Sequence, residues 1–185
     1  MKNPKLASRY AAAFYNFVVE TDSIEIAYND ILLVQKVVTE NKELKTVMES
    51  PIIPVEKKIK IFKKIFTKTT TETTIKFFTL VLKKRREPQM LMICREFIKI
   101  YYVKHNIKEV YITSSQLLSQ KMKNYLQNFI EKDSPYTYFF YYSVDNKIIG
   151  GFVIKIDDLY FDASILTKIN KLKSEFSQNA YAIGF

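Results

Sequence analysis

Cys94-Arg-Glu-Phe97-Ile-Lys-Ile-Tyr101-Tyr-Val-Lys104-His105-Asn106-Ile-Lys108-Glu-Val110-Tyr-Ile112-Thr-Ser114 is where the hydrophobic period of the chain changes. Before the change, Cys94, Phe97 and Tyr101 recur at three-and-four spacing, which sets them on one face of a helix. After His105-Asn106 the alternation runs around Val110 and Ile112 with a period of two, which suits a strand. A helical stripe and a strand face belong to different elements, and here to different cores. The expected fold is α+β overall: an N-terminal six-helix bundle over residues 1–104, followed by a small α/β C-terminal domain over residues 105–185.

Working back toward the start, the pattern stays helical. Pro4 fits a first turn, where its missing N–H costs nothing, and Leu6, Tyr10, Ala13, Phe14 and Phe17 form one face. Asp22-x-x-Glu25 has the form of a capping box, and Ile24, Ala27, Tyr28, Ile31, Val34 and Val38 follow at helical spacing. A short helix through Leu44, Val47 and Met48 stops at Ser50-Pro51, and Pro54 starts the next. There Val55, Ile59, Phe62 and Phe66 make an apolar stripe, while Lys57, Lys60, Lys64 and Lys68 make a solvated one. Thr69-x-x-Glu72 reads as a second cap before Ile75, Phe78 and Leu82, and Pro88 opens a sixth helix. Working forward, Lys108 to Ser114 is a strand and Leu118, Met122, Tyr125, Leu126 and Phe129 a helical face. Tyr136 to Val144 is a second strand, and Asp145-Asn146-Lys147 a turn. Phe152, Ile154 and Ile156 alternate in a third strand, and Asp157-Asp158 turns the chain into a short Leu159-Tyr160-Phe161 strand. Ile165, Ile169, Leu172 and Phe176 mark a last helix.

The chain lacks catalytic equipment. One histidine (His105), one cysteine (Cys94) and three glycines provide neither a nucleophile-base pair remote from His105 nor a Cys/His zinc set. Gly150-Gly151 stand together and Gly184 is next to the end, so no phosphate-cradling glycine loop occurs. No cofactor is implied. His105 reads as an exposed helix-end residue and Cys94 as a small buried apolar one. Gly150-Gly151 read as a crowded strand start. A carboxylate metal site at Asp157, Asp158 and Asp162 is the enzymatic alternative. The longest apolar runs, such as Phe139-Phe140-Tyr141-Tyr142, are far shorter than the ~20 residues of a membrane span. With no signal peptide visible, a cytoplasmic, soluble or peripheral protein without direct membrane insertion is expected.

The net charge of +10 is unevenly placed. Residues 1–104 hold 20 Lys/Arg against 11 Asp/Glu, and residues 105–185 hold nine against eight. Lysine outnumbers arginine 25 to 4, whereas base readout and bidentate phosphate contact favour arginine. No nucleic-acid partner is therefore expected. A basic helical adaptor that binds RNA or an anionic membrane through Lys57–Lys68 and Lys83–Arg86 is the alternative function.

Arg9-Tyr10-Ala11-x-Ala13-Phe14 and Ser50-Pro51-Ile52-Ile53-Pro54 resemble the delta subunits of F-type ATP synthases, the family of the mitochondrial oligomycin-sensitivity-conferring protein. Val110-x-Ile112-Thr113-Ser114 with Leu117-Leu118 is similar to the entry of that family's C-terminal domain. The most specific stretch is Asp145-x-x-Ile148-Ile149-Gly150-Gly151-Phe152-x-Ile154-x-Ile156-Asp157, followed by Asp162-x-Ser164-Ile165. Lys84-Arg85-Arg86-Glu87-Pro88 departs from the family's usual turn before the sixth helix, and the tail from Asn179 to Phe185 has no counterpart.

The resemblance implies a non-catalytic stator subunit, monomeric alone and present once per complex, peripheral on the cytoplasmic face of a bacterial plasma membrane. It implies that residues 1–104 grip N-terminal helices of alpha subunits on the alpha/beta catalytic head. Residues 105–185 would hold the C-terminal end of the b subunit. The grip is expected between the first and fifth helices, lined by Leu6, Tyr10, Ala13, Phe14 and Leu80 with Lys83 at the rim. Leu80 lies off the Ile75-Phe78-Leu82 stripe and so lacks an obvious internal role. Tyr10, Ala13 and Phe14 also read as residues of the bundle's own core face. Ile148, Gly150, Gly151, Asp157, Asp162 and Ser164 are the signature positions of the C-terminal domain.

Overall fold

The computed structural model describes residues 4–132 and 134–171. They fall into two compact units, Met1–Lys104 and His105–Phe185. The first holds α1 (Pro4–Glu20), α2 (Ile24–Glu40), α3 (Lys42–Glu49), α4 (Val55–Phe66) and α5 (Glu72–Lys83). A 3-10 turn, Glu87–Gln89, then leads into α6 (Met90–Lys104). The second unit holds β1 (Ile107–Ser114), α7 (Gln120–Glu131), β2 (Thr137–Val144), β3 (Phe152–Ile156) and β4 (Leu159–Asp162). Residues 165–171 are again helical. Leu172 and Phe176, assigned to a last helix by their spacing, and the tail 179–185 lie outside the described residues.

The helical unit is built around α6, which packs on α1 and α2. Ala7 and Ala11 are fully buried on α1, and their small side chains let the two backbones approach closely. The α1 core face is therefore Ala7, Ala11, Phe14, Tyr15 and Val18. It is not the Leu6, Tyr10, Ala13, Phe14 and Phe17 face read from the sequence; Ala13 and Phe17 are exposed, and Tyr10 only half-buried. Of that face, Phe14 alone serves the core, tilted against Phe97 with centroids 5.4 Å apart. A second aromatic knot joins α4 and α5, where Phe62 lies 4.5 Å from Phe66 and 5.3 Å from Phe78.

Both capping expectations need correction. The cap of α2 is Ser23, without a side-chain cap bond, and Glu25 instead accepts the Tyr101 hydroxyl at 2.9 and 2.8 Å. The cap of α5 is Thr71 rather than Thr69. Asp30, buried on α2, accepts both the Thr71 N–H and its hydroxyl at 2.7 Å, which ties α2 to the start of α5. One lysine of the basic run is also internal: Lys58 is buried and donates to Glu87 at 2.7 Å. Each partner supplies the charge the other needs, since an unpaired buried ion would cost several kcal/mol.

Asn106, at φ 53°, takes the left-handed conformation that ends α6 and turns the chain into β1. The sheet order is β2-β1-β3-β4. Strands β1 and β2 are parallel, with Val110 opposite Phe140 and Ile112 opposite Tyr142, and α7 lies in the connection between them. Strand β3 pairs antiparallel with β1, and β4 with β3. One face of the sheet and α7 enclose Val110, Ile112, Leu126 and Ile154, with Tyr138, Phe140 and Tyr142 packed alongside.

Candidate functional site

Helix α1 packs chiefly on α6 with Ala7, Ala11 and Val18 fully buried, and Ala13 and Phe17 are left exposed. Helix α5 packs on α4 and α2, with Phe78, Val81 and Leu82 fully buried. Between α1 and α5 runs a groove of about 690 Å³, lined by Leu6, Arg9, Tyr10, Ala13, Phe14, Phe17, Thr73, Lys76, Phe77 and Leu80. Its floor is the stack of Phe14 on Phe77, with centroids 4.1 Å apart and planes 14° apart. Ala13 leaves room above that floor. Leu80 and Phe17 stand on the walls, 48% and 50% exposed.

Leu6, Tyr10, Ala13, Phe14 and Leu80 thus lie together around one groove. Lys83 does not line it. It belongs to an adjoining depression of about 280 Å³ formed by Lys63, Glu72, Ile75, Lys76, Thr79, Leu80 and Lys83. Leu80 and Lys76 belong to both. Lys76 pairs with Glu72 one turn earlier at 2.9 Å. Thr79 carries a buried Oγ1 with no hydrogen-bond partner among the described residues. Sequence reading did not assign Arg9, Phe17, Thr73, Lys76 and Phe77 to the groove. Phe77 could have been found by its i,i+3 relation to Leu80, but beside Phe78 it had no separate signal.

The signature positions of the second unit act on the fold. Gly151 has φ +86°, and a Cβ there would run into the Ala163 carbonyl oxygen; one at Gly150 would stand 2.6 Å from Ile165 Cδ1. The glycines let the strand entry lie against residues 163–165, where the Ile165 N–H donates to the Gly150 carbonyl at 2.8 Å. Ile148 is half-buried, and its N–H donates to the Asp145 carbonyl at 3.1 Å. Asp157 has φ 50° in the β3–β4 turn and pairs with Lys108 at 3.3 Å. Asp162 accepts the Ser164 N–H at 2.8 Å and the Thr167 hydroxyl at 2.7 Å, and Ser164 Oγ accepts the Thr167 N–H at 3.2 Å. Hydrogen bonds from Ser164 and Thr167 hold the Asp162 carboxyl below its usual range.

Among the described residues no group of three or more His, Cys, Asp or Glu side chains is gathered for a metal ion. Both oxygens of Asp162 are already engaged by its own cap. Cys94 is fully buried, and burial pushes its thiol up to about 12, which leaves it protonated and unreactive at neutral pH. His105 is partly buried in the turn after α6, not fully exposed as its position suggested. Among the described residues no helix is long and apolar enough to cross a membrane.

The comparisons with known proteins agree over nearly the full length. Residues 6–176 match the family model "ATP synthase delta (OSCP) subunit". The chain is 31% identical over 179 residues to the ATP synthase subunit delta of Cytophaga hutchinsonii, covering 96% of this chain and 97% of the relative. It is 31% identical over 173 residues to that of Desulforudis audaxviator, covering 94% and 95%. Its fold superposes with a TM-score of 0.73 on a chain of the Toxoplasma gondii mitochondrial ATP synthase hexamer, at 16% identity, covering 92% of this chain and 97% of that one. The chain belongs to the ATP synthase delta (OSCP) subunit family, whose members are structural rather than catalytic parts of the synthase.

Proposed function

We propose that the groove between α1 and α5 is where this stator subunit grips the N-terminal helix of an alpha subunit. As a delta-family member, the chain serves the stator and peripheral stalk of an F-type ATP synthase. Residues 1–104 act as a six-helix bundle that seats on the alpha/beta head, and residues 105–185 hold the C-terminal end of the b subunit. One copy sits per complex, peripheral on the cytoplasmic face of a bacterial plasma membrane, and the subunit is a monomer alone. The connector resists the torque that would otherwise drag the head around with the rotor.

The observation that carries this reading is the groove itself. It is apolar, preformed, and laid along two helices, the shape that an amphipathic helix occupies with anchors at three-and-four spacing. For the second unit the support is the number of exposed apolar side chains, among them Tyr125 and Phe129 on α7 and Leu159, Tyr160 and Phe161 on β4.

The test is calorimetric titration of the full-length protein with a peptide of the alpha N-terminus. Ala13→Trp fills the space over the Phe14–Phe77 stack and is expected to weaken binding at least about tenfold, a loss of ~1.4 kcal/mol. Leu80→Asp should do the same, while Lys83→Ala costs no more than ~1 kcal/mol as an exposed charge. Circular dichroism should show the helices intact in all three. Folded Ala13→Trp and Leu80→Asp proteins that bind as tightly as the unmodified chain would place the grip elsewhere.

A further inference from the structure

We propose that the helix held in the groove is an acidic one, and that the depression beside the groove seats one of its carboxylates. This deepens the groove reading above and rests on it. Three observations point the same way. First, the two depressions are continuous: Leu80 and Lys76 wall both, so a helix lying along α5 over the Phe14–Phe77 floor passes the mouth of the second. Second, the charge of the walls has one sign. Arg9, Lys63, Lys76 and Lys83 are set against Glu72 alone, and Glu72 is already engaged by Lys76. Third, the second depression contains a polar atom that lacks a partner. Thr79 Oγ1 is buried without a hydrogen bond among the described residues, so a turn of the Thr79 side chain toward the depression lets an incoming acceptor recover the free energy of that unmade bond.

A carboxylate answers all three. It accepts the Thr79 hydroxyl proton, it is acceptor-only when ionised, and its charge meets the lysine ammoniums. The spacing also fits a helix as occupant. Lys76, Leu80 and Lys83 recur at four and three along α5, so they form one stripe over about 10 Å of axis. An antiparallel or parallel helix beside that stripe offers apolar anchors to Leu80 and Phe77, with flanking acids toward the lysines. A flat anionic bilayer meets the exposed ammonium groups but does not fill the apolar groove beside them. The membrane reading is therefore disfavoured for this patch, and it forms one arm of the test.

The experiment uses the full-length protein and two designed helical peptides with the same apolar stripe, one flanked by glutamates and the other by glutamines. The glutamate peptide is expected to bind at least about tenfold tighter at low salt, with the ratio shrinking as salt screens the exposed charges. Thr79→Val removes only the hydroxyl from a site of equal shape. It should weaken the glutamate peptide about threefold and leave the glutamine peptide unchanged. Lys76→Glu with Lys83→Glu, both at exposed positions, should reverse the preference. Equal binding of the two peptides by the unmodified protein, with both lost in Ala13→Trp, would sink the acidic partner and leave the groove standing. Peptide binding that survives Ala13→Trp would instead sink the groove reading, and this inference with it. Displacement of the glutamate peptide by phosphatidylserine-containing vesicles, but not by phosphatidylcholine ones, would overturn the proposal in favour of a lipid surface.

Discussion

The helical unit keeps its apolar side chains inside, and the sheet unit leaves many of its own outside. Among the described residues, 21 buried apolar residues lie between Ala7 and Tyr101, against four in the sheet unit: Val110, Ile112, Leu126 and Ile154. The outward apolar residues differ in the same sense. On the helical unit the exposed large apolar residues among those described are Phe17, Val19, Ile26, Ile52, Ile65, Leu80 and Val103, of which Phe17 and Leu80 line the groove. On the sheet unit they are spread over α7, the 148–150 turn and β4. The first unit is built as a cradle whose shape is set by close packing. The second stands on a thinner core, and backbone constraints at Gly150-Gly151 and Asp162-x-Ser164 carry more of its definition. Substitutions should therefore act through volume in one unit and through backbone geometry in the other.

The largest expected effect tests the cradle. Phe78 is fully buried on α5 and touches Phe62 and Phe77. Phe78→Ala should cost about 3–5 kcal/mol through lost transfer energy and the cavity left behind. Denaturant unfolding followed by helical circular dichroism would measure it. A loss below about 1 kcal/mol would mean that the core collapses easily, and the contrast between the units would fail. A smaller effect tests the other side. Gly151→Ala forces a Cβ into the Ala163 carbonyl at φ +86°, and about 2 kcal/mol is expected from the strained backbone. Gly150→Ala should cost less, because the obstacle there is the free end of the Ile165 side chain. Tyr111 and Tyr141, stacked 5.0 Å apart on the sheet, supply NMR signals that report this unit separately. Equal losses at the two glycines would contradict the backbone argument.

How much of this was legible in the chain depended on whether the deciding partner was near in sequence. The change of period after His105 was plain, and so was α4, where lysines and apolar residues take opposite faces of one helix. The α1 face was misread because aromatic residues drew the assignment, while the true core stripe uses Ala7 and Ala11, whose value lies in being small. A helix apolar on two sides has no single stripe to read. The caps failed for another reason: Asp30 reaches Thr71 across 41 residues, and Tyr101 reaches Glu25 across 76. Lys58 looked like its neighbours, and only Glu87, 29 residues away, makes it internal. The groove residues on α1 and on α5 at Leu80 could be named from sequence and resemblance. The second depression could not, because it needs α4 and α5 side by side before Thr79 is seen to lack a partner.

The smallest expected effect sharpens the comparison by pH. In the sheet unit, Asp162 caps the helical residues 165–171 through Ser164 and Thr167, and those hydrogen bonds hold its carboxyl below the usual range. A carboxyl whose folded value is depressed contributes stability that is fully present above its unfolded value, near ~4. That contribution is lost as pH falls through the folded value. The sheet unit should therefore weaken on acidification from about pH 4 downward. Asp162→Asn separates this from general acid unfolding, because the amide oxygen can still accept the Ser164 N–H while the charge is gone. At neutral pH the variant should be the less stable of the two, and the gap should close as the native carboxyl is protonated. Hydrogen exchange at the Thr167 amide, which donates to Ser164 Oγ, gives a local reading of the same cap. The helical unit has its own depressed carboxyl at Glu72, lowered by the hydrogen bond and charge of Lys76, so it is not inert to acid. Its response should instead follow salt, because that pair is exposed on both sides and screened. A gap between Asp162→Asn and the native chain that stayed constant from neutral pH to pH ~2.5 would show that the cap works through geometry alone.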